Sequence, residues 1–530
     1  MKNTFLFSGA LVVATMLSGC GSTGPTVLST PVENIDAITL KYSELSEEEK
    51  KKWGHKDLVN DTVPGMSVER AYAEFVKGKR ANKVIVAVID SGIDVEHEDL
   101  KSVVWTNTDE VPNNGKDDDN NGYVDDIHGW NFLGDSNDEQ LEMTRIVAAG
   151  TSHPQYAAAK AALDEKLTSI QQSKQQVDVL LGVDKTLTEH FKKEDYTKDE
   201  VSAIDAKSED LAQAKGIMLQ VLNGQQWTVE EYKKEVKDFS DYVYDQLNHH
   251  LNVEFDGRKV LGDNADDFNA RGYGNSNVIG PDKEEAKHGT HVAGIIGAKR
   301  NNGLGVDGVA NNVEIMALRA VPNGDEYDKD IAYAIRYAAD NGAKVINCSF
   351  GKSFSTHPEW VWDAIKYAAK KDVLIVNAAG NDSEDIDYNK SFPTDVSNGA
   401  EIANNFITVG ALAKTYGSQV VASFSNYGLK NVDVFAPGAQ IWSTVPNNKY
   451  EYLGGTSMAA PAVAGLAAMI RGFYPKLSAA QVKDIIMKSG FALKTQVVVG
   501  GDKTKEFKNI SKSGTIANAY NALIMAQKSK

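Results

Sequence analysis

Hydrophobic and polar positions fall along this chain in two kinds of block. Short, nearly continuous apolar runs occupy Lys83 to Ile89, Glu314 to Arg319, Lys344 to Cys348, Val373 to Asn377 and Phe406 to Val409. Runs of this length and composition predict strands buried on both faces, as in parallel sheets. Helical periodicity separates most of them, at Thr290 to Lys299, Lys329 to Asp340 and Pro358 to Lys370, and Val68 to Gly78 carries the same pattern ahead of the first strand. This alternation predicts an α/β fold with a doubly wound, mostly parallel sheet flanked by helices, and it places ligands at the carboxyl ends of the strands.

One long block has a different texture. From Gln140 to Leu251 the chain is charged and Gln-rich, with heptad-like apolar positions at Tyr156, Ala159, Leu163, Leu167, Ile170, Val177 and Leu181. A second helix is expected from the capping box of Thr197 and Glu200 through Val201, Ile204, Leu211, Met218 and Leu222. A third should start at Thr228 with Glu231 and continue through Val236, Phe239, Val243 and Leu247. The block therefore reads as an all-helical insertion over 135–264 that divides the α/β domain into 64–134 and 265–495. It offers a lid, a substrate-selecting arm or a surface for docking a partner; the alternative is an addition with no role in access or docking. The polar, Gly-rich stretch Ala265 to Lys287 is expected to be a mobile loop returning to the core. Residues 496–530 complete the chain as a C-terminal hairpin or loop, at Val497 to Lys508, and a closing helix.

Composition narrows the possibilities. A chain of 530 residues with 42% hydrophobic content is larger than one core usually serves. Its 56 basic and 73 acidic residues give a net charge of −17, which argues against binding nucleic acid through phosphates. The only two cysteines, Cys20 and Cys348, exclude a disulfide framework, and Cys348 inside an apolar run reads as a buried, unreactive side chain. Lys2 followed by the apolar run Phe5 to Leu17 reads as a signal peptide over 1–19. Residues 20–63 then form a Gly-, Ser-, Thr- and Pro-rich tether and a short charged N-terminal segment. The part from Asn34 to Asn60 is read as packing on the body in preference to an inhibitory pro-segment.

The chemistry centres on Gly454-Gly455-Thr456-Ser457-Met458-Ala459-Ala460-Pro461, a small-residue turn that runs straight into an apolar helical pattern. Backbone N–H groups and the helix dipole at such a start can stabilise an oxygen anion beside the serine. A serine hydroxyl needs a base, and the base needs an orienting group. His288 opens His288-Gly289-Thr290-His291-Val292-Ala293-Gly294, and Asp90 ends the first apolar run.

These stretches together resemble the subtilases, the subtilisin-like serine peptidases of the S8 family. The resemblance covers 64–134 and 265–495 and implies a triad of Asp90, His288 and Ser457. In Asn377-Ala378-Ala379-Gly380-Asn381, Asn381 takes the place of the family's side-chain oxyanion donor. The family further implies that Ser349, Phe350, Gly351, Ala379 and Gly380 wall the substrate cleft, and that His291 is not the base. The expected activity is that of a serine endopeptidase acting on proteins or peptides through an acyl-enzyme. The alternatives are a pseudopeptidase that binds without cutting and a scaffold that docks partners on the insertion.

Two further features bear on partners. Asp117-Asp118-Asp119-Asn120-Asn121-Gly122-Tyr123-Val124-Asp125-Asp126 alternates oxygen side chains around a glycine, a pattern suited to a hard cation. Structural calcium is expected there, with Asp117, Asp119, Asn121, the Tyr123 carbonyl and Asp125 or Asp126 as ligands; an acidic surface loop is the alternative. Leu17-Ser18-Gly19-Cys20 resembles the lipobox of bacterial lipoproteins. That implies a lipid on Cys20, a membrane anchor without a spanning helix, and a place in the bacterial envelope, facing the periplasm in preference to the cell surface.

Overall fold

The computed structural model describes residues 45–529. The expected signal peptide, the lipid attachment at Cys20 and the tether lie outside the described residues. The five apolar runs become the strands β1 (Val84–Asp90), β3 (Val313–Arg319), β4 (Val345–Cys348), β5 (Leu374–Ala378) and β6 (Phe406–Leu412), and four strands that the pattern did not announce join them, β2 (Gly129–Asn131), β7 (Val434–Pro437), β8 (Phe491–Ala492) and β9 (Thr515–Ile516). They form one nine-stranded sheet in the order β8-β9-β7-β6-β5-β4-β1-β3-β2. Every ladder is parallel except β8 with β9. The chain leaves β1 toward β3 on one side and β4 on the other, so the strand order reverses at β1. A crevice opens at the carboxyl ends on either side of such a reversal.

The insertion is helical, with α1 (Glu142–Ala149), α2 (Tyr156–Phe191), α3 (Lys198–Ala203), α4 (Glu209–Gln225) and α5 (Val229–Asp245). It buries its own apolar cluster, including Leu163, Ile170, Val177, Met218, Leu222, Tyr232 and Val243. Two local expectations change. The helix expected to run from Thr197 to Leu222 breaks after Ala203, and Ser208 caps a new one by accepting a hydrogen bond from the Leu211 N–H. Past Val177 the buried stripe of α2 passes to Val183 and Leu187, leaving Leu181 39% exposed. A straight helix has 3.6 residues per turn, so a seven-residue stripe drifts across its surface. The segment returning to the core is tied down more than a free loop would be: Asn131 and Asn275 exchange backbone hydrogen bonds of 2.9 and 3.0 Å.

Four more helices bear on the site: α6 (Lys287–Gly297), α7 (Asp328–Asp340), α8 (Pro358–Lys370) and α9 (Thr456–Phe473). The small side chains of α9 let it lie buried against β4, β5 and β6. Residues 45–63 pack on the body: Trp53 is 1% exposed and donates its indole N–H to the Gln440 carbonyl at 3.1 Å. The C-terminal hairpin forms between Gln496–Val499 and Lys503–Glu506. Among the described residues no helix is long and apolar enough to cross a membrane.

Candidate active site

Asp90, His288, Ser457 and Asn381 line one open cleft at the carboxyl ends of the strands. Asp90 ends β1 and is 1% exposed. His288 sits in the first turn of α6 and puts its Nδ1 2.7 Å from Asp90 Oδ1. The two elements meet because residue 289 is glycine: a Cβ there would lie 2.2 Å from the Gly92 carbonyl oxygen and 3.0 Å from Asp90 Cβ. Burial works to lower the His288 pKa, but the Asp90 charge and hydrogen bond outweigh it and hold the imidazole above its ordinary value. With Nδ1 engaged, Nε2 is the nitrogen left for proton transfer. His291 differs sharply: it is fully buried, its Nε2 is 3.1 Å from the carbonyls of Ile441 and Glu451, and burial lowers its pKa to about 3. It is therefore neutral and tied to the packing.

Ser457 is the second residue of α9, where backbone N–H groups have no partner within the helix. Its hydroxyl donates to the Ser349 carbonyl at 3.2 Å, and the Ser349 hydroxyl donates to the Ser457 carbonyl at 2.8 Å. No hydrogen bond joins Ser457 to His288; a rotation about χ1 would redirect the hydroxyl. Asn381 Oδ1 accepts from the Thr456 N–H at 2.9 Å and the Thr456 hydroxyl at 3.1 Å. Only the amide oxygen can accept from a backbone N–H, so Nδ2 is the group left to donate into the cleft. The Thr456 hydroxyl also accepts from the Gly380 N–H at 3.1 Å and so ties Gly380 and Asn381 to the turn that carries the serine. Its orienting role was not foreseen from the sequence, although its place beside Ser457 was the available signal.

Of the expected wall residues, Ser349, Phe350, Gly351 and Gly380 line the cleft. Ala379 does not: it is 1% exposed, and its N–H donates to the Val409 carbonyl at 3.0 Å. It lines a neighbouring hollow with Asn377, Phe392 and Thr408. Cys348, behind this wall, is fully buried, and burial pushes its thiol pKa far up.

The acidic loop folds around carboxylates. Atoms of Glu110, Asp119 and Asp126 lie within 4.8 Å of one another. Asp117 and Asp125 instead accept from backbone amides, Asp117 from Asn121 and Gly122 at 3.0 and 2.8 Å, Asp125 from Asn114 and Gly115 at 3.0 and 2.9 Å. Asn121 donates Nδ2 to Asp126 at 2.9 Å, and the Tyr123 ring packs edge-on against Trp130 and Tyr337. Glu110 was missed because it precedes the dense acidic run; its carboxylate accepts from the N–H groups of Asp118 and Asp119. Burial raises the Asp126 pKa.

The sequence is similar to known proteins. The sequence model of the subtilase family matches residues 81–512. The chain is 45% identical over 184 residues to a thermophilic serine proteinase of Bacillus sp. (strain AK1), covering 34% of this chain and 42% of that protein. It is 40% identical over 184 residues to thermitase of Thermoactinomyces vulgaris, covering 34% and 60%, and 37% identical over 231 residues to subtilisin BL of Lederbergia lenta, covering 43% and 79%. The match thus spans less than half the length of the first of these relatives.

A histidine-selective NMR titration should find His288 above the ordinary value near 6.5. In Asp90→Asn the charge is gone and burial remains, so the apparent pKa should fall. An unchanged titration would show that Asp90 does not set it.

Proposed function

The chain belongs to the subtilase family, and on that premise we propose that it is a serine endopeptidase hydrolysing peptide bonds in proteins and peptides. The observation that carries the reading is the convergence of a buried Asp90–His288 pair, a helix-start serine and an oriented amide in one cleft. His288 Nε2 takes the Ser457 proton as the hydroxyl attacks the carbonyl carbon. Asp90 holds the imidazole tautomer and stabilises the imidazolium. Asn381 Nδ2 and the Ser457 N–H receive the oxyanion. Collapse of the tetrahedral intermediate breaks the C–N bond, His288 protonates the leaving amine, and water releases the acyl group by the same steps. Ser349 to Gly351 offers an edge against which substrate adds as a strand.

Calcium in the acidic loop is the second part of the proposal. Three carboxylates drawn this close repel one another, two of them are buried, and an oxygen-only donor set suits a hard cation. Glu110, Asp119 and Asp126 would hold the ion, whose contribution is to cancel that repulsion and tie the loop to the body. The third part concerns location. Cys20 carries a lipid that anchors the enzyme in the bacterial envelope, facing the periplasm, a reading supported by Leu17-Ser18-Gly19-Cys20 behind an apolar run.

Detergent-solubilised full-length protein should hydrolyse casein, and Ser457→Ala should abolish this together with fluorophosphonate labelling. Asn381→Ala should retain labelling but lose about 100- to 1,000-fold in kcat. Activity should fall as pH drops through the His288 pKa, because the imidazolium cannot accept the serine proton. Wild-type protein that neither cuts nor labels would favour the binding-only alternative.

Calcium at about 100 times its Kd should stabilise the fold by about 2.7 kcal/mol, read as a higher Tm that a chelator removes. Asp119→Asn should weaken that dependence, and a chelator-insensitive Tm would count against the site.

Cys20→Ala should move the protein from the membrane fraction to the soluble one and abolish labelling by a radioactive fatty acid. Unchanged partitioning and labelling would rule out the anchor.

A further inference from the structure

The front of the helical insertion is built into the cleft. Segment 137–140 lies beside 323–325 as an added edge: Asn323 N–H donates to the Asn137 carbonyl at 2.8 Å, Glu139 N–H to the Asn323 carbonyl at 2.7 Å, and Asp325 N–H to the Gln140 carbonyl at 3.4 Å. Between them Gly324, which lines the cleft, adopts φ +111°, and a Cβ there would come within 2.2 Å of the Glu139 carbonyl oxygen. Only glycine permits this approach.

Buried ions lock the arrangement. The Lys352 side chain is 1% exposed and bonds Glu142 at 3.2 Å and the Glu326 carbonyl at 2.7 Å. The Glu142 N–H donates to Asp325 at 2.8 Å, while Arg145 pairs with Glu142 and donates to the carbonyls of Gln140 and Asp325 at 2.9 Å. Lys352 directly follows Gly351 in the chain. The wall holding Ser349 and the wall holding Gly324 are therefore joined through α1.

That anchoring carries Leu141 and Met143 to the same cleft as Ser457 and His288. Both are half-buried against the insertion's own core. Phe350, 9% exposed, lines the cleft as well. Lys352 lies three positions past Ser349, whose carbonyl receives the Ser457 hydroxyl. At 3.3 Å per residue, a bound strand of about three to four residues reaches from the serine to this wall.

We propose that Leu141 and Met143 are specificity-determining residues that select an apolar substrate side chain about three to four residues from the scissile bond. The proposal rests on the serine-peptidase reading. It assigns the insertion a place in substrate selection that partner docking would not require.

The test is cleavage of a randomised peptide library by the full-length protein, with products mapped by mass spectrometry. Leu, Met or Phe should be enriched at one position at that distance. Met143→Glu should lower the kcat/KM ratio of peptides with Leu there to those with Lys there by about 10-fold or more. Leu141→Ala should lower the same ratio and serves where Met143→Glu does not accumulate. Val179→Ala, at a 51% exposed position further along the insertion, should keep the wild-type ratio. Identical preferences in wild type and both cleft variants, with Ser457 still labelled by fluorophosphonate, would overturn the proposal. Absence of labelling in the wild type would instead overturn the underlying reading.

Discussion

The cleft depends on how closely the first turn of α6 approaches the end of β1. With glycine at 289, a backbone carbonyl and the Asp90 side chain come near enough for His288 Nδ1 to meet Asp90 Oδ1 at 2.7 Å. Asp90 is nearly free of water there, and among the described residues Oδ2 has no hydrogen-bond partner. A carboxylate so placed needs its charge answered nearby, since burying an unpaired ion is costly. The imidazole answers it, and the raised His288 pKa is the same interaction seen from the other side. Further back, Ser443 and Thr444 donate their hydroxyls to the carbonyls of His291 and Thr290, at 2.8 and 2.7 Å, and hold the helix in place.

Two further groups of buried charge lie where the insertion meets the body. Lys352, Glu142, Arg145 and Asp328 are drawn together where α1 meets the cleft walls. Arg258, Asp263, Asp330 and Lys329 form a similar group where the last residues of the insertion meet α7. Buried ion pairs contribute little net stability compared with apolar packing, but breaking one strands a charge, so they define one geometry sharply. This suits a wall that must hold its position against substrate. The insertion accordingly combines an apolar core of its own with an ionic seam toward the peptidase body.

Much of the fold was legible because the signals are local. β1, β3, β4 and β5 appear within a residue or so of the apolar runs, since a strand buried on both faces leaves few polar positions. The caps at Thr197 and Thr228 are visible because a side chain three residues from a helix start satisfies its free N–H groups. The site residues were legible because the turn before Ser457, the glycine after His288 and the end of β1 each leave a short motif. Less visible was the break after Ala203, where apolar spacing continues through a turn that only the packing of α3 against α4 requires.

Through their resemblance to the subtilases, short motifs named the candidate triad and Asn381; the sequence by itself determined the strand and helix alternation and the presence of a charged helical block between Asp90 and His288. Those properties reside in neighbouring residues, where periodicity and capping act. Tertiary structure alone decided which carboxylates gather in the acidic loop, bringing in Glu110 and turning Asp117 and Asp125 to backbone amides. It also decided that Ala379 leaves the cleft wall and that Leu141 and Met143 join it. Each of these depends on which side chain the folded backbone turns toward a distant one, and no spacing along the chain encodes that direction.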